Sequence, residues 1–151
     1  MEVPVYCTDS YASNVVIDAS KLTAYEHSVP KSRIPENNPT FPNWGGKLDT
    51  NGNFIKWFGW KMHALVDTTS GIPISYIITP ANIADMDVAE SLIQKMIDDY
   101  DEEIHPKYYM MDAGYDKPEL YAAVHTKFQG QAIIPINWRM LLAVLSFAFS
   151  S

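Results

Sequence analysis

The 151 residues are 47% hydrophobic and carry a formal net charge of −7. That is enough apolar content for one domain with a core, and the wrong sign for a protein that holds nucleic acid by overall charge alone. The lone cysteine, Cys7, excludes a disulfide framework and a thiolate zinc cluster.

The charge is uneven along the chain. Residues 21–61 hold six cations against three acids, whereas residues 85–103 hold eight acids against Lys95 alone. One surface can therefore meet a polyanion while another repels it, although two solvated faces of opposite sign explain the same pattern. The histidines at 27, 63, 105 and 125 show no i, i+4 pairing of the kind a helical metal site uses. The opening "MEVPVYCTDS" lacks the basic and apolar regions of a signal peptide. The apolar run at 140–149 is only about half the length needed to span a bilayer. No membrane partner and a cytoplasmic setting are expected.

Taken in order, "NVVID" at 14–18 reads as a short β-branched strand ending on Asp18. Residues 28–53 hold four prolines and three glycines, which predicts a long irregular excursion. "FIKWFGWKMHALVD" at 54–67 and "IPISYIITP" after the turn "TTSG" predict a β-hairpin. The pattern then changes period: Val88, Leu92, Met96 and Ile97 recur at helical spacing, with Asp85 or Asp87 suited to the N-cap. "KYYMMD" predicts a further strand. "DKPELYAAVHTKF" predicts a helix with Asp116 as N-cap and Glu119 closing a capping box. "QAIIPI" at 131–136 closes the series as a last strand. Strands and helices in this order predict a mixed α/β fold with parallel neighbours joined by crossover helices.

In open α/β sheets reactive groups gather at the carboxyl ends of strands. Asp18 and Asp112 each follow an apolar run, and the two strands are expected to be parallel and adjacent. Two neighbouring carboxylates repel unless they share a proton or a cation. A hard divalent ion, Mg²⁺ or Mn²⁺, suits oxygen ligands and retained waters, and such ions serve phosphodiester chemistry. A turn or cap role explains either Asp as well. Asp9, Asp67 and Asp85 fit turns or caps. Lys56 and Lys61 are the candidate phosphate contacts, with solvated strand-edge lysines as the alternative. Trp44 and Trp57 are candidates for base stacking, with a core role the competing reading of Trp57.

The segments "VVIDAS", "FGWKMHALVD", "GIPISYIITPANIADMDVAESLI", "MMDAGYDKPEL" and "AIIPIN", in this order, resemble the catalytic domain of insertion-sequence transposases of the DDE class. The resemblance covers about residues 12–139. It implies a ribonuclease H-like mixed sheet with flanking helices, incomplete at the C-terminus. It further implies two-metal cleavage and strand transfer at transposon DNA ends, with a homodimer as a candidate assembly. Asp18 and Asp112 match the first and second catalytic acids, and Asp85 matches a recurrent Asp in a structural or supporting role.

The family's third acid is a Glu in a Tyr-x-x-Arg-x-x-x-Glu pattern on a following helix, yet residues 120–151 contain neither Asp nor Glu. Only 17 residues precede Asp18, where the family has a DNA-end-binding region. The expectation is therefore an N-terminal extension at 1–13, a partial catalytic domain at 14–139 and an apolar tail outside the family pattern at 140–151. That describes a truncated, catalytically impaired transposase. The alternatives are a non-catalytic chain that binds DNA or a partner, and an unrelated metal-dependent phosphodiesterase.

Overall fold

The computed structural model describes residues 12–36, 38–49, 51–100 and 103–136. The tail at 140–151 and nearly all of the 1–13 extension lie outside them. Strand β1 (Asn14–Thr23) is followed by β2 (Asn43–Leu48), β3 (Phe54–Asp67), β4 (Pro73–Pro80), helix α1 (Asp85–Tyr100), β5 (Tyr108–Met110), helix α2 (Pro118–Thr126) and β6 (Gln131–Ile133). The six strands form one mixed sheet ordered β2-β3-β1-β5-β6, with β4 also on β3. β1, β2 and β4 pair antiparallel to β3, whereas β1–β5 and β5–β6 are parallel. This mixed sheet with its helices is the ribonuclease H-like fold expected from the sequence.

The 14-residue β3 organises the sheet. Its second half forms the expected hairpin with β4 and also lies along the whole of β1, from Val15↔Asp67 to Thr23↔Gly59. β1 therefore runs five residues past Asp18, rather than ending there. "ASKLT" has little strand preference of its own, and its extended form comes from pairing with β3. Asp67 closes the β3–β4 turn: its Oδ2 accepts from the Ser70 amide at 2.9 Å and hydroxyl at 2.6 Å. These bonds hold its carboxyl below the usual carboxylate range.

The excursion at 28–53 also contains an element where none is expected. β2 pairs with the first half of β3, and its two glycines make room for aromatic rings rather than breaking the strand. A Cβ on Gly45 would meet the Trp57 ring at 2.6 Å, and one on Gly46 would meet the Phe54 ring at 2.3 Å. Trp57 itself is buried, in line with its core reading.

Alternation along the strands sorts the two sheet faces. Val15, Ile17, Leu65 and Tyr109 point to one face, where they pack with Ala89, Leu92, Ile93 and Met96 of α1 and with Leu120 and Val124 of α2. Each fully buried Leu, Ile or Met here contributes roughly 1.5–3 kcal/mol of apolar burial. Both described helices belong to that one core. On the opposite face, Tyr76, Ile78 and Ile133 remain exposed. α2 starts later than the capping box implies. Its N-cap is Lys117, without a side-chain cap bond, and Pro118 opens the helix, a position its fixed φ suits. Asp116 instead ends the preceding 3-10 turn, Ala113–Tyr115, and accepts from the Tyr121 hydroxyl at 3.4 Å.

Candidate active site

Asp18 lies in the middle of β1, in a row with Ala64 of β3 and Tyr76 of β4. Because directly paired residues share a face, its carboxylate belongs to the face opposite the helices. Asp112 follows β5, the parallel neighbour of β1. The register pairs Val16 with Met110, and the same offset relates Asp18 to Asp112. The chain leaves the strand after Met110 and turns at Ala113–Tyr115, with Asp112 as the cap of that turn. Asp112 is thus a turn residue, and the same turn places it at the carboxyl end of β5.

Both carboxylates are exposed, and each has one oxygen tied to the backbone. Asp18 Oδ1 accepts from the Ala19 amide at 2.8 Å, and Asp112 Oδ1 accepts from the Gly114 amide at 2.8 Å. The second oxygen of each has no protein partner among the described residues. A pair of hard, singly anchored carboxylate oxygens fits a divalent ion that completes its shell with water. Among the described residues, no group of three or more His, Cys, Asp or Glu side chains gathers as a metal site.

Tyr115, three residues after Asp112, is a core residue. It is 1% exposed, and its hydroxyl is buried without a hydrogen-bond partner. Burial pushes the phenol well above its ordinary pKa, and the negative charges of Asp85, Asp18 and Asp112 push it further. Tyr115 therefore stays protonated, feeling the charge of three carboxylates without a hydrogen bond to any of them.

Asp85 opens α1 and is fixed from the sheet. Lys61 Nζ donates to Asp85 Oδ1 at 2.8 Å and to the Ile83 carbonyl at 2.9 Å, which ties β3 to the start of the helix. Asp85 is the first residue of α1 rather than its N-cap, and the Lys61 ammonium is engaged. Lys56 is exposed, with Nζ 4.9 Å from the centre of the Trp44 ring.

His63, which sequence spacing did not single out, is 1% exposed. Its Nε2 lies 2.9 Å from the Thr79 hydroxyl, while Nδ1 is unpartnered and 3.9 Å from Asp85 Oδ1. Burial lowers its pKa below 6.5; Asp85 partly opposes this and Lys61 adds to it. The unfolded chain then binds the proton more readily than the folded one, so stability is lost as pH falls below about 6.5. Urea unfolding at pH 7.5 and pH 5 is expected to show that loss, and His63→Gln is expected to flatten it. The signal for Tyr115 and His63 was present in "DAGY" and "FGWKMH", but neither stretch reveals which of its polar groups is buried.

The family model described as Transposase DDE domain matches residues 12–144. The chain belongs to the DDE transposase family. The match spans the six strands and two α-helices of the described residues. A comparison with curated proteins returned no match. Membership implies DNA as the partner and a chemistry that uses a divalent metal ion. Among the described residues, no helix is long and apolar enough to cross a membrane.

Proposed function

We propose that this transposase domain belongs to the machinery of metal-dependent DNA strand cleavage and transfer at transposon ends, with Asp18 and Asp112 holding Mg²⁺ or Mn²⁺. The observation that supports this most is the parallel β1–β5 register, whose offset relates the two acids across neighbouring strands. The bound ion would supply charge neutralisation at the phosphodiester and an activated water or hydroxyl. The chain's own part is orientation. The Ala19 and Gly114 amides hold one oxygen of each carboxylate. Lys56 is the proposed phosphate contact, and Lys61 acts by fixing Asp85.

Residues 120–151 contain neither Asp nor Glu, so these 151 residues supply Asp18 and Asp112 but not the third acid of the family's pattern. Loss of one member of a set acting as a unit costs orders of magnitude in rate, so the chain by itself is proposed to be catalytically impaired. The same observation favours, as the second reading, a chain that binds DNA without cutting it.

One experiment addresses both. The chain is mixed with inverted-repeat DNA at low salt, with and without Mn²⁺, and read by gel shift and by strand nicking. Weak binding that fades as salt rises, without nicking, is the expected result. Absence of any shift at low salt would remove the DNA reading. Mn²⁺-dependent nicking would overturn the impairment.

A further inference from the structure

The β2–β3 ribbon extends past the end of β1, whose last partner on β3 is Gly59. One face of the ribbon carries Trp44, Gly46 and Leu48 from β2 with Phe58, Lys56 and Phe54 as their cross-strand partners. Phe54 is 67% exposed, and its ring reaches back over Gly46, where any side chain would collide with it. Lys56 lies directly across from Gly46, with its ammonium 4.9 Å from the Trp44 ring. Trp44 is braced in turn: its indole N–H donates to the Val29 carbonyl at 2.8 Å, and its ring packs 5.4 Å from Phe58. The result is a row of aromatic, cation and aromatic along a two-stranded ribbon.

We infer that this ribbon face is a stacking platform for unpaired DNA, with Phe54 meeting a base face and Lys56, held over the Trp44 ring, meeting the adjoining phosphate. The inference rests on the DNA reading above and adds the strand state and the surface. Three observations carry it. An exposed phenyl group costs solvation and contributes little packing here, yet the strand leaves a glycine beneath it, so the ring is supported from one side and open on the other. The cation lies over the Trp44 ring, two residues along the strand from Phe54, which suits a phosphate next to a base stacked on Phe54. Trp44 is held from behind, so its orientation is set before a ligand arrives. Aromatic rings interleaved with a cation suit single strands, because every base has a π-face and stacking needs no sequence readout.

The test uses the full chain and fluorescence anisotropy at low salt, with a labelled single-stranded oligonucleotide and a duplex of the same length. The wild-type chain is expected to bind the single strand more tightly. Phe54→Ala is expected to weaken single-strand binding about tenfold, while duplex binding changes less than twofold. Lys56→Met is expected to lower the salt dependence of single-strand binding by about one counterion. Circular dichroism checks that each variant is folded, and Phe54→Leu, which keeps apolar bulk without the ring, should behave like the alanine variant. If Phe54→Leu binds like wild type, or if both Phe54 variants do, the platform is wrong while DNA binding stands. Preference for the duplex would also overturn it. Binding of neither oligonucleotide would overturn both the platform and the DNA reading on which it rests.

Discussion

Asp112→Asn is expected to weaken Mn²⁺ binding by about ten- to a hundredfold, and Asp18→Asn is expected to do the same. A carboxylate oxygen about 2.1 Å from a dication interacts with it by roughly 4 kcal/mol even at the dielectric of water. Competing hydration and salt reduce that to the smaller factor given. Each Asp→Asn change keeps the shape and the oxygen that accepts from the neighbouring amide, so the turn at Ala113–Tyr115 and the β1 backbone should persist. The charge is what disappears. Water-proton relaxation in a Mn²⁺ titration reads the affinity directly and does not depend on catalysis. Glu119→Gln, on the exposed side of α2, is the matched loss of charge and should leave the titration unchanged. If either Asp variant binds Mn²⁺ like wild type, the two acids do not share an ion.

Gly59→Ala is expected to destabilise the fold by about 3 kcal/mol or more. Gly59 has φ +153°, and a Cβ placed on it would lie 2.2 Å from the Leu22 carbonyl oxygen and 2.6 Å from the Ala24 nitrogen. These are backbone atoms, and they cannot rotate aside as a side chain would. Relief requires β1 to separate from β3 just where Ala24 N–H donates to the Phe58 carbonyl at 3.0 Å, and it would disturb the Ala81 N–H bond to the Gly59 carbonyl at 3.1 Å on the β4 side. Gly52 supplies the contrast. It also has positive φ, +83°, but a Cβ there meets nothing, so Gly52→Ala should cost only about 1 kcal/mol from backbone conformation. Urea unfolding of the two variants separates steric exclusion from conformational preference. Equal losses would show that the close approach at Gly59 is not what holds it as glycine.

Gly59 belongs to the "FGWK" stretch. Its role in the sequence resemblance has a physical basis in the structure, since β3 passes the end of β1 at that residue too closely for any side chain. Lys61, two residues on, shows the same distinction between motif and mechanism. Its strand position was legible, but its bond to Asp85 joins residues 24 positions apart, and no local pattern carries such information.

Wherever a local period or turn chemistry was strong, the sequence was sufficient. The β3–β4 hairpin around "TTSG", the helix bearing Val88, Leu92 and Met96, and the mixed α/β class all follow from spacing that is satisfied within a few residues. Tertiary contact decided the rest. β1 continues beyond Asp18 because β3 supplies hydrogen-bond partners to residues of weak strand preference. β2 exists inside a proline- and glycine-rich stretch because its glycines admit the rings of Trp57 and Phe54. Asp116 does not cap α2, because Pro118 and the preceding 3-10 turn set the helix start. Asp18 and Asp112 were recognisable singly, as acids after apolar runs. Their relation across neighbouring parallel strands comes from the β1–β5 register, a property of pairing between segments some ninety residues apart, where hydrogen bonding to a distant strand overrides what each residue prefers alone.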